Sequence, residues 1–243
     1  MNTISIAAAA VAGARHLRVA RNGQDAALAW AGEGMGAVVV CDGCSAGASS
    51  EVGARLGAQL VIGLIRELLV RERPRDIWPV LRARLVATLA RLADAMPGER
   101  EQIVHDHFLF AIVAAAWRAD EVAVWALGDG GYALGDRNIV LGPFADNQPP
   151  YLGYDLIGAP QEAHLEIADA SCGSVIVATD GAAELGLDAF MAQRFLTHPD
   201  ALRRQLALSA RTSERVDWAE RKIDRGIAPL QDDGAVAILR WQR

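Results

Sequence analysis

Several acids stand at the ends of apolar runs. Asp42-Gly43 closes Val38-Val39-Val40-Cys41, and Asp180-Gly181 closes Val175-Ile176-Val177-Ala178-Thr179. Asp232-Asp233-Gly234 precedes the last apolar run, and Asp25 opens the run from Ala26 to Trp30. A carboxylate at the lip of a strand rides on rigid backbone and can project into a shared cleft. A glycine directly after it leaves room for a ligand and lets its own carbonyl approach as a further oxygen donor. Where such lips meet, carboxylates a few ångströms apart oppose each other's ionisation. Divalent cations remove that conflict, and an all-oxygen donor set favours Mg²⁺ or Mn²⁺ over zinc. Two such ions can activate a water and clamp a phosphoryl group in line with it. The chemistry implied is metal-assisted hydrolysis of phosphate esters. One Asp-Gly after a strand is only a turn; the ordered set carries the reading.

Other reactive side chains fall outside any such pattern. Cys41 and Cys44 have C-x-x-C spacing, but no second Cys or His pair follows at metal-ligand distance, so with Cys172 they read as small buried thiols in a reducing cytoplasm. His16 lies between the first two strands, where it either faces the cleft or hydrogen-bonds within the turn. His105, His107, His164 and His198 are scattered and read as structural. Gly128-Asp129-Gly130-Gly131 lacks the Lys-Ser or Lys-Thr and the following helix of a phosphate-binding loop, so it reads as a turn with Asp129 supporting the fold. No Gly-x-Ser-x-Gly elbow is present.

The elements that must position the acids follow from hydrophobic period. Thr3 to Val11, Ala26 to Trp30 and Ala37 to Cys41 read as strands, the last two joined by a hairpin loop at Ala31–Gly34. From Ser49 the period becomes helical, with Val52, Leu56, Leu60, Leu64 and Leu68 recurring and Ser49 or Ser50 able to cap. Ile77, Leu81, Leu85, Leu89 and Leu92 mark a second helix ending near Pro97-Gly98. Phe108 to Trp117, Glu121 to Leu127, Tyr132 to Leu134 and Asn138 to Leu141 follow as closely spaced strands, which favours antiparallel hairpins over parallel crossovers. Pro143 to Pro160 reads as a long loop, His164 to Ala168 and Ser174 to Thr179 as strands, Ala182 to about Ile227 as helical with a break near His198-Pro199, and Gly234 to Trp241 as the closing strand. Segregated blocks of this kind indicate an α+β layered architecture.

The chain has 243 residues, 52% of them apolar, and a formal net charge of -6. That describes an ordered chain able to bury a core, and residues 1–243 read as a single domain. The acid excess argues against nucleic acid as partner, and the arginines from Arg66 to Arg84 read as a solvated helical face. The apolar run Ile4 to Ala14 imitates a signal peptide but has no preceding basic residue, and no run reaches membrane-spanning length, so a cytoplasmic location without membrane association is expected.

The ordered motifs resemble the metal-dependent protein phosphatase 2C (PP2C) family. The nearest branch is the bacterial one whose members open with Gly-x-x-His and Gln-Asp-Ala. The matching residues are Gly13-Ala14-Arg15-His16, Gln24-Asp25-Ala26, Val40-Cys41-Asp42-Gly43, Gly128-Asp129-Gly130, Ala178-Thr179-Asp180-Gly181 and Asp232-Asp233. The resemblance implies a four-layer αββα sandwich of two antiparallel sheets flanked by helix pairs. It also implies two Mg²⁺ or Mn²⁺ ions held by Asp25, Asp42, the Gly43 carbonyl, Asp180 and Asp232, with Asp233 as the alternative to Asp232. The implied activity is a serine/threonine protein phosphatase using a metal-activated water, with a phosphorylated protein, such as a Ser/Thr kinase or its substrate, as partner.

Three departures bear on that expectation. The family's Asp-Gly-His-Gly-Gly run is Asp42-Gly43-Cys44-Ser45-Ala46, so the histidine proposed as general acid is missing, leaving metal-bound water or Ser45 to substitute. The Gly-Thr-Thr that opens the middle strand is replaced by Asp106-His107-Phe108, with Asp106 either near a third ion or a solvated turn carboxylate. The phosphate-gripping arginine falls at Ala20, leaving Arg18 or Arg21 to serve. The alternative is therefore a non-catalytic PP2C-like module that binds a phosphorylated partner or regulates a kinase; a small-molecule phosphatase is the third reading.

Overall fold

The computed structural model describes residues 3–145, 148–198 and 200–242. Strand β1 (Thr3–Val11) leads through a one-turn helix α1 (Ala14–Arg18) to the hairpin β2 (Ala26–Gly32) and β3 (Met35–Gly43). Helices α2 (Ser50–Leu68), α3 (Trp78–Ala95) and α4 (Arg100–His107) follow. A meander comes next: β4 (Phe110–Arg118), β5 (Glu121–Leu127), β6 (Gly130–Leu134) and β7 (Arg137–Leu141). After the 143–163 connection come β8 (His164–Asp169), β9 (Ser174–Ala178), α5 (Asp180–Ala183), α6 (Arg194–Thr197) and α7 (Ala201–Ser209). An exposed hairpin of β10 (Glu214–Asp217) and β11 (Lys222–Arg225) precedes the closing strand β12 (Gly234–Gln242). The main strands form two five-stranded sheets, β1-β12-β9-β6-β7 and β2-β3-β4-β5-β8, with antiparallel pairing throughout.

Strand β3 shows why the sequence stacks in four layers. Its side chains alternate: Ala37, Val39 and Cys41 enter the core beneath α2 and α3, while Val38 and Val40 enter the core between the sheets. A strand buried on both faces must be apolar throughout, as this one is. A third core, with Ile176 and Ile238 against Phe195, Leu202 and Leu206, lies on the outer face of the other sheet. Trp117 and Trp241 stack across the two sheets with ring centroids 5.0 Å apart, and the Trp241 indole N–H donates to the Ala170 carbonyl at 2.7 Å. Both lie at the ends of their strands remote from the acidic lips.

The helical expectations need correction in three places. The stripe Val52, Leu56, Leu60, Leu64, Leu68 is not the buried face of α2: Val52 and Leu56 are exposed, and Ser50, Gly53, Ala54, Gly57, Ala58, Val61 and Ile65 face the core. Small residues win because the helix lies close on the sheet, with the Phe110 ring opposite Gly53 and Gly57. Residues 100–107 form α4, so Asp106-His107 ends a helix and the middle strand starts at Phe110. Helix from 182 to 227 is also too generous. The only helix of two turns or more among the described residues there is α7, and 214–225 pairs as a hairpin. Cover over the β1-β12 sheet comes from α7 together with the short α5 and α6. Pro199, where a break was expected, lies outside the described residues, as do residues 146 and 147 of the Pro143–Pro160 loop. That loop contains a short 3₁₀ segment, Leu152–Ile157. Ser49 precedes α2 without a side-chain cap bond, and the Ser50 hydroxyl accepts from the Gln24 side-chain amide. No described helix is long and apolar enough to cross a membrane.

A methyl group added at Gly53 would meet the His107 carbonyl oxygen at 2.1 Å, whereas at Gly63 on the same helix nothing lies within 4 Å. Gly53→Ala is therefore expected to lower stability by about 2–4 kcal/mol, and Gly63→Ala to raise it by about 0.5–1 kcal/mol, in urea titrations. Equal midpoints for the two variants would contradict the close α2 contact.

Candidate metal centre

The acidic lips converge at one end of the sandwich. The β2–β3 ladder ends at Ala26↔Cys41, one step before Asp25 and Asp42, and the β12–β9 ladder ends at Val236↔Ala178, just before Thr179-Asp180. Each acid therefore leaves a different strand at the same level. The cleft they form is lined by six aspartates, Asp25, Asp42, Asp129, Asp180, Asp232 and Asp233, and by no described arginine, lysine or histidine. Asp42 shares this cleft with Asp25 and Asp180, and the charges of both oppose its ionisation. Gly43 lines the same cleft, with Ser50 and the Gln24 carbonyl packed where a side chain would be.

Two buried groups fix the arrangement. The Thr179 hydroxyl donates to Asp25 Oδ2 at 2.7 Å and accepts from the Ala235 amide at 2.9 Å, so Asp25 of one sheet is held by the other. Asp233 is 3% exposed and accepts three hydrogen bonds: from the amides of Gly13 (2.8 Å) and Gln24 (2.6 Å) and from His16 Nδ1 (2.8 Å). These donors spend the lone pairs of Asp233 on the fold. Asp232, next in the chain and exposed, keeps its carboxylate toward the cleft, with one oxygen accepting the Asp233 amide. His16 therefore serves the turn rather than lining the cleft. His16, Asp232 and Asp233 do offer ligand atoms within 4.8 Å of one another, but the His16–Asp233 bond already satisfies two of the three.

The glycines after the acids have a reason beyond ligand access. A Cβ at Gly181 would stand 2.2 Å from the Asp233 carbonyl oxygen, and one at Gly13 would stand 2.0 Å from that of Asp232. The Asp232-Asp233 backbone is threaded between them.

The remaining expected residues divide. Arg21 reaches the rim, where its guanidinium donates to the Gly47 carbonyl at 3.1 Å and to that of Ser45 at 3.5 Å. Arg18 points elsewhere, into a groove between α1 and the segment after β11. Asp106 bonds Gln102 and His105 at the end of α4 and does not line the cleft. Cys41 is buried in the core while Cys44 lines the cleft, and the cysteines are free. Asp129, read as a fold-supporting turn, instead faces the other acids. Its signal was available, since it too is an aspartate between two apolar runs and precedes a glycine. Tyr151 and Pro149 supply another wall from the 143–163 connection, with Cys44 lining the same cleft; periodicity offers no signal for such loop residues.

Electrostatically the site is under tension. Burial, followed by repulsion from neighbouring acids, pushes Asp25 and Asp42 well above the usual carboxylate range. Burial and then Asp180 lift Asp129 from 3.8 to about 6. Carboxylates gathered in one cleft need either shared protons or cations, and an all-oxygen set of this size suits Mg²⁺ or Mn²⁺. An acid whose pKa is raised by folding stabilises the fold below its unfolded pKa, and that stabilisation is lost as pH rises through its folded pKa. Metal-free protein should therefore lose up to about 3 kcal/mol through Asp129 between pH 4 and 6.5, because each tenfold difference in proton affinity is worth about 1.4 kcal/mol. In Asp129→Asn that part of the slope should vanish, as followed by chemical denaturation in chelator. An unchanged slope would remove Asp129 from the cluster.

A family model described as protein phosphatase 2C matches residues 12–225. No curated protein matches significantly in sequence. The solved structures that resemble this one include the catalytic domain of the serine/threonine phosphatase PstP in complex with two manganese ions, 17% identical with a TM-score of 0.60 over all of both chains. Stp1 from Staphylococcus aureus is 12% identical with a TM-score of 0.62 over 99% of this chain and 96% of its own. PppA from Pseudomonas aeruginosa, a regulatory component of T6SS, is 15% identical with a TM-score of 0.61 over all of both. At such identities the likeness establishes the fold, two antiparallel sheets with helices, while the sequence model spans well over half of the residues: the chain belongs to the protein phosphatase 2C family.

Proposed function

We propose that this chain hydrolyses phosphoserine and phosphothreonine monoesters in proteins, with two Mg²⁺ or Mn²⁺ ions held by Asp25, Asp42, Asp180, Asp232 and the Gly43 carbonyl. The observation that carries the reading is the convergence of Asp25, Asp42, Asp180 and Asp232 on one cleft lined by no described basic side chain. Cations bound there supply the positive charge that polarises the phosphoryl oxygens and activates the attacking water. The chain's own residues do the rest. Thr179 orients Asp25, Asp233 ties the Gly13 and Gln24 segments to the strand that presents Asp232, and Arg21 braces the Ser45–Gly47 loop at the rim. Burial, with Cys44 next in weight, holds the Tyr151 phenol protonated, so it faces the cleft as a hydrogen-bond donor rather than a base. The partner is a phosphorylated protein, such as a Ser/Thr kinase or its substrate, in the cytoplasm. A second reading, a phosphoprotein-binding module without turnover, draws on Cys44 standing where the family resemblance calls for histidine.

Hydrolysis of an aryl phosphate and a phosphothreonine peptide with Mn²⁺ or Mg²⁺ separates the two. Asp42→Asn and Asp180→Asn should each lower kcat/KM by about 100-fold or more. Wild-type rates in both variants would remove the metal assignment. Mn²⁺ should stabilise the wild type by about 2.7 kcal/mol at 100 times its Kd. Asp42→Asn should instead be more stable than wild type in chelator and gain little from Mn²⁺. Two-site calorimetric uptake without turnover would favour the binding module.

A further inference from the structure

Directly beside the cleft lies a groove of opposite character. Gln231 borders the groove and Asp232 the cleft, so the two sites meet at adjacent residues, and the Arg15 amide donates to the Gln231 carbonyl at 3.0 Å to fix α1 along this border. Leu17 and Arg18 of α1 form one wall; Arg225 and Ile227 form the other, with Thr212 between. Two arginines and no carboxylate line it, against six aspartates in the cleft. Among the described residues Arg18 and Arg211, which adjoins Thr212, make no side-chain hydrogen bond or ion pair, while Arg225 bonds Glu214. Most arginines on α3 and in the segment before it are spent on partners: Arg73 and Arg75 on Glu121, Arg82 on Asp155, Arg84 on Glu67. The groove also exposes apolar surface out of proportion, with Leu17 57% and Ile227 84% accessible, and Val19 of the turn after α1 69%. Contiguous exposed apolar side chains under unpaired positive charge mark a surface that awaits a partner.

We propose that this groove docks an acidic, leucine-containing stretch flanking the phosphorylated residue of the protein substrate. The inference rests on the phosphatase reading of the cleft and names the substrate class that cleft receives. Charge complementarity selects the occupant. A segment of Asp and Glu finds the unpaired Arg18 guanidinium, a second arginine in Arg225, and no carboxylate among the lining residues, whereas a basic segment would be repelled there. Its apolar side chain covers Leu17 and Ile227. Because the groove adjoins Asp232, a phosphoresidue in the cleft and its flank in the groove belong to one extended chain.

The test compares phosphothreonine peptides carrying an acidic, Leu-containing flank on either side with matched Ser/Gly-flanked peptides. An aryl phosphate too small to reach the groove reports the cleft alone. Wild-type kcat/KM should favour an acidic-flanked peptide about three- to tenfold, expressed in KM and falling with ionic strength. Arg18→Glu should erase that preference, Arg18→Lys should keep part of it, and Arg91→Glu, on α3, should leave it intact. Equal kcat/KM for both kinds of peptide, or a preference that survives Arg18→Glu, overturns the proposal. If the aryl phosphate is not turned over, the phosphatase reading fails separately. Fluorescence anisotropy of the unphosphorylated acidic peptide then decides: binding weakened by Arg18→Glu supports the docking site, and no binding overturns it. Equal competition by single-stranded RNA of the same charge also overturns it, since the groove would then read charge alone.

Discussion

Three carboxylates gathered in one cleft, Asp25, Asp42 and Asp180, are the constraint around which this end of the molecule is organised. Like charges brought together separate unless something prevents it. Here separation is blocked because each acid leaves a different element. Asp42 lies within β3, Asp25 precedes β2, and Asp180 begins α5 just past β9. To move one acid away, a strand of a packed sheet would have to shift. The double-sided burial of β3 and the Thr179 bond between the sheets oppose that movement. The cores thus carry an electrostatic cost that divalent cations would relieve, as expected where a site is built ahead of its ligand.

Asp232 and Asp233 show how two adjacent acids divide structure and chemistry. The bend at Asp232, just before β12, leaves Asp232 exposed and Asp233 buried. The inward one, Asp233, is saturated by two amides and an imidazole, and this joins the end of β1, the approach to Asp25 and the start of β12. The outward one keeps free lone pairs. Removing Asp233 would therefore disturb Asp25 and Asp232 together, although it need touch neither metal nor substrate. Gly13 and Gly181 belong to the same device, since any side chain on either would collide with the carbonyls between them.

The order of the strand-lip acids was readable because it depends on short-range pattern: an apolar run, an aspartate, a glycine. The β-strands were readable for the same reason. The β2–β3 turn is tighter than the four-residue loop expected; Glu33 and Gly34, both at positive φ, close it in two residues. What pattern did not reveal was tertiary. The buried face of α2 is chosen by how near the helix lies to Phe110, so its larger residues are displaced to the flanks. Asp129 carries the same local signal as the other acids, an aspartate before a glycine between apolar runs, but that signal also fits a turn, and the acids it faces, Asp42 and Asp180, are distant in sequence. The 210–227 segment is charged and Leu-poor, with Trp218 and Ile223 exposed; neither helical nor strand period was strong, and cross-strand pairs such as Glu214 with Arg225 settled it as a hairpin.

The cleft's composition has a consequence for recognition. With Arg21 committed to backbone carbonyls at the rim and no described basic side chain lining the interior, the protein alone offers a phosphoryl dianion only repulsion. Attraction must then come from cations in the cleft, from contacts outside it, or from both. Cations bind the phosphoryl group alike whatever carries it, so they supply rate without discrimination between substrates. Discrimination has to rest on surface that the rest of the substrate can reach. The groove at Arg18 is such a surface, adjoining the cleft and opposite to it in charge. On the phosphatase reading proposed above, rate and selectivity rest on separate surfaces, so one can change without disturbing the carboxylates that the fold is built to hold together.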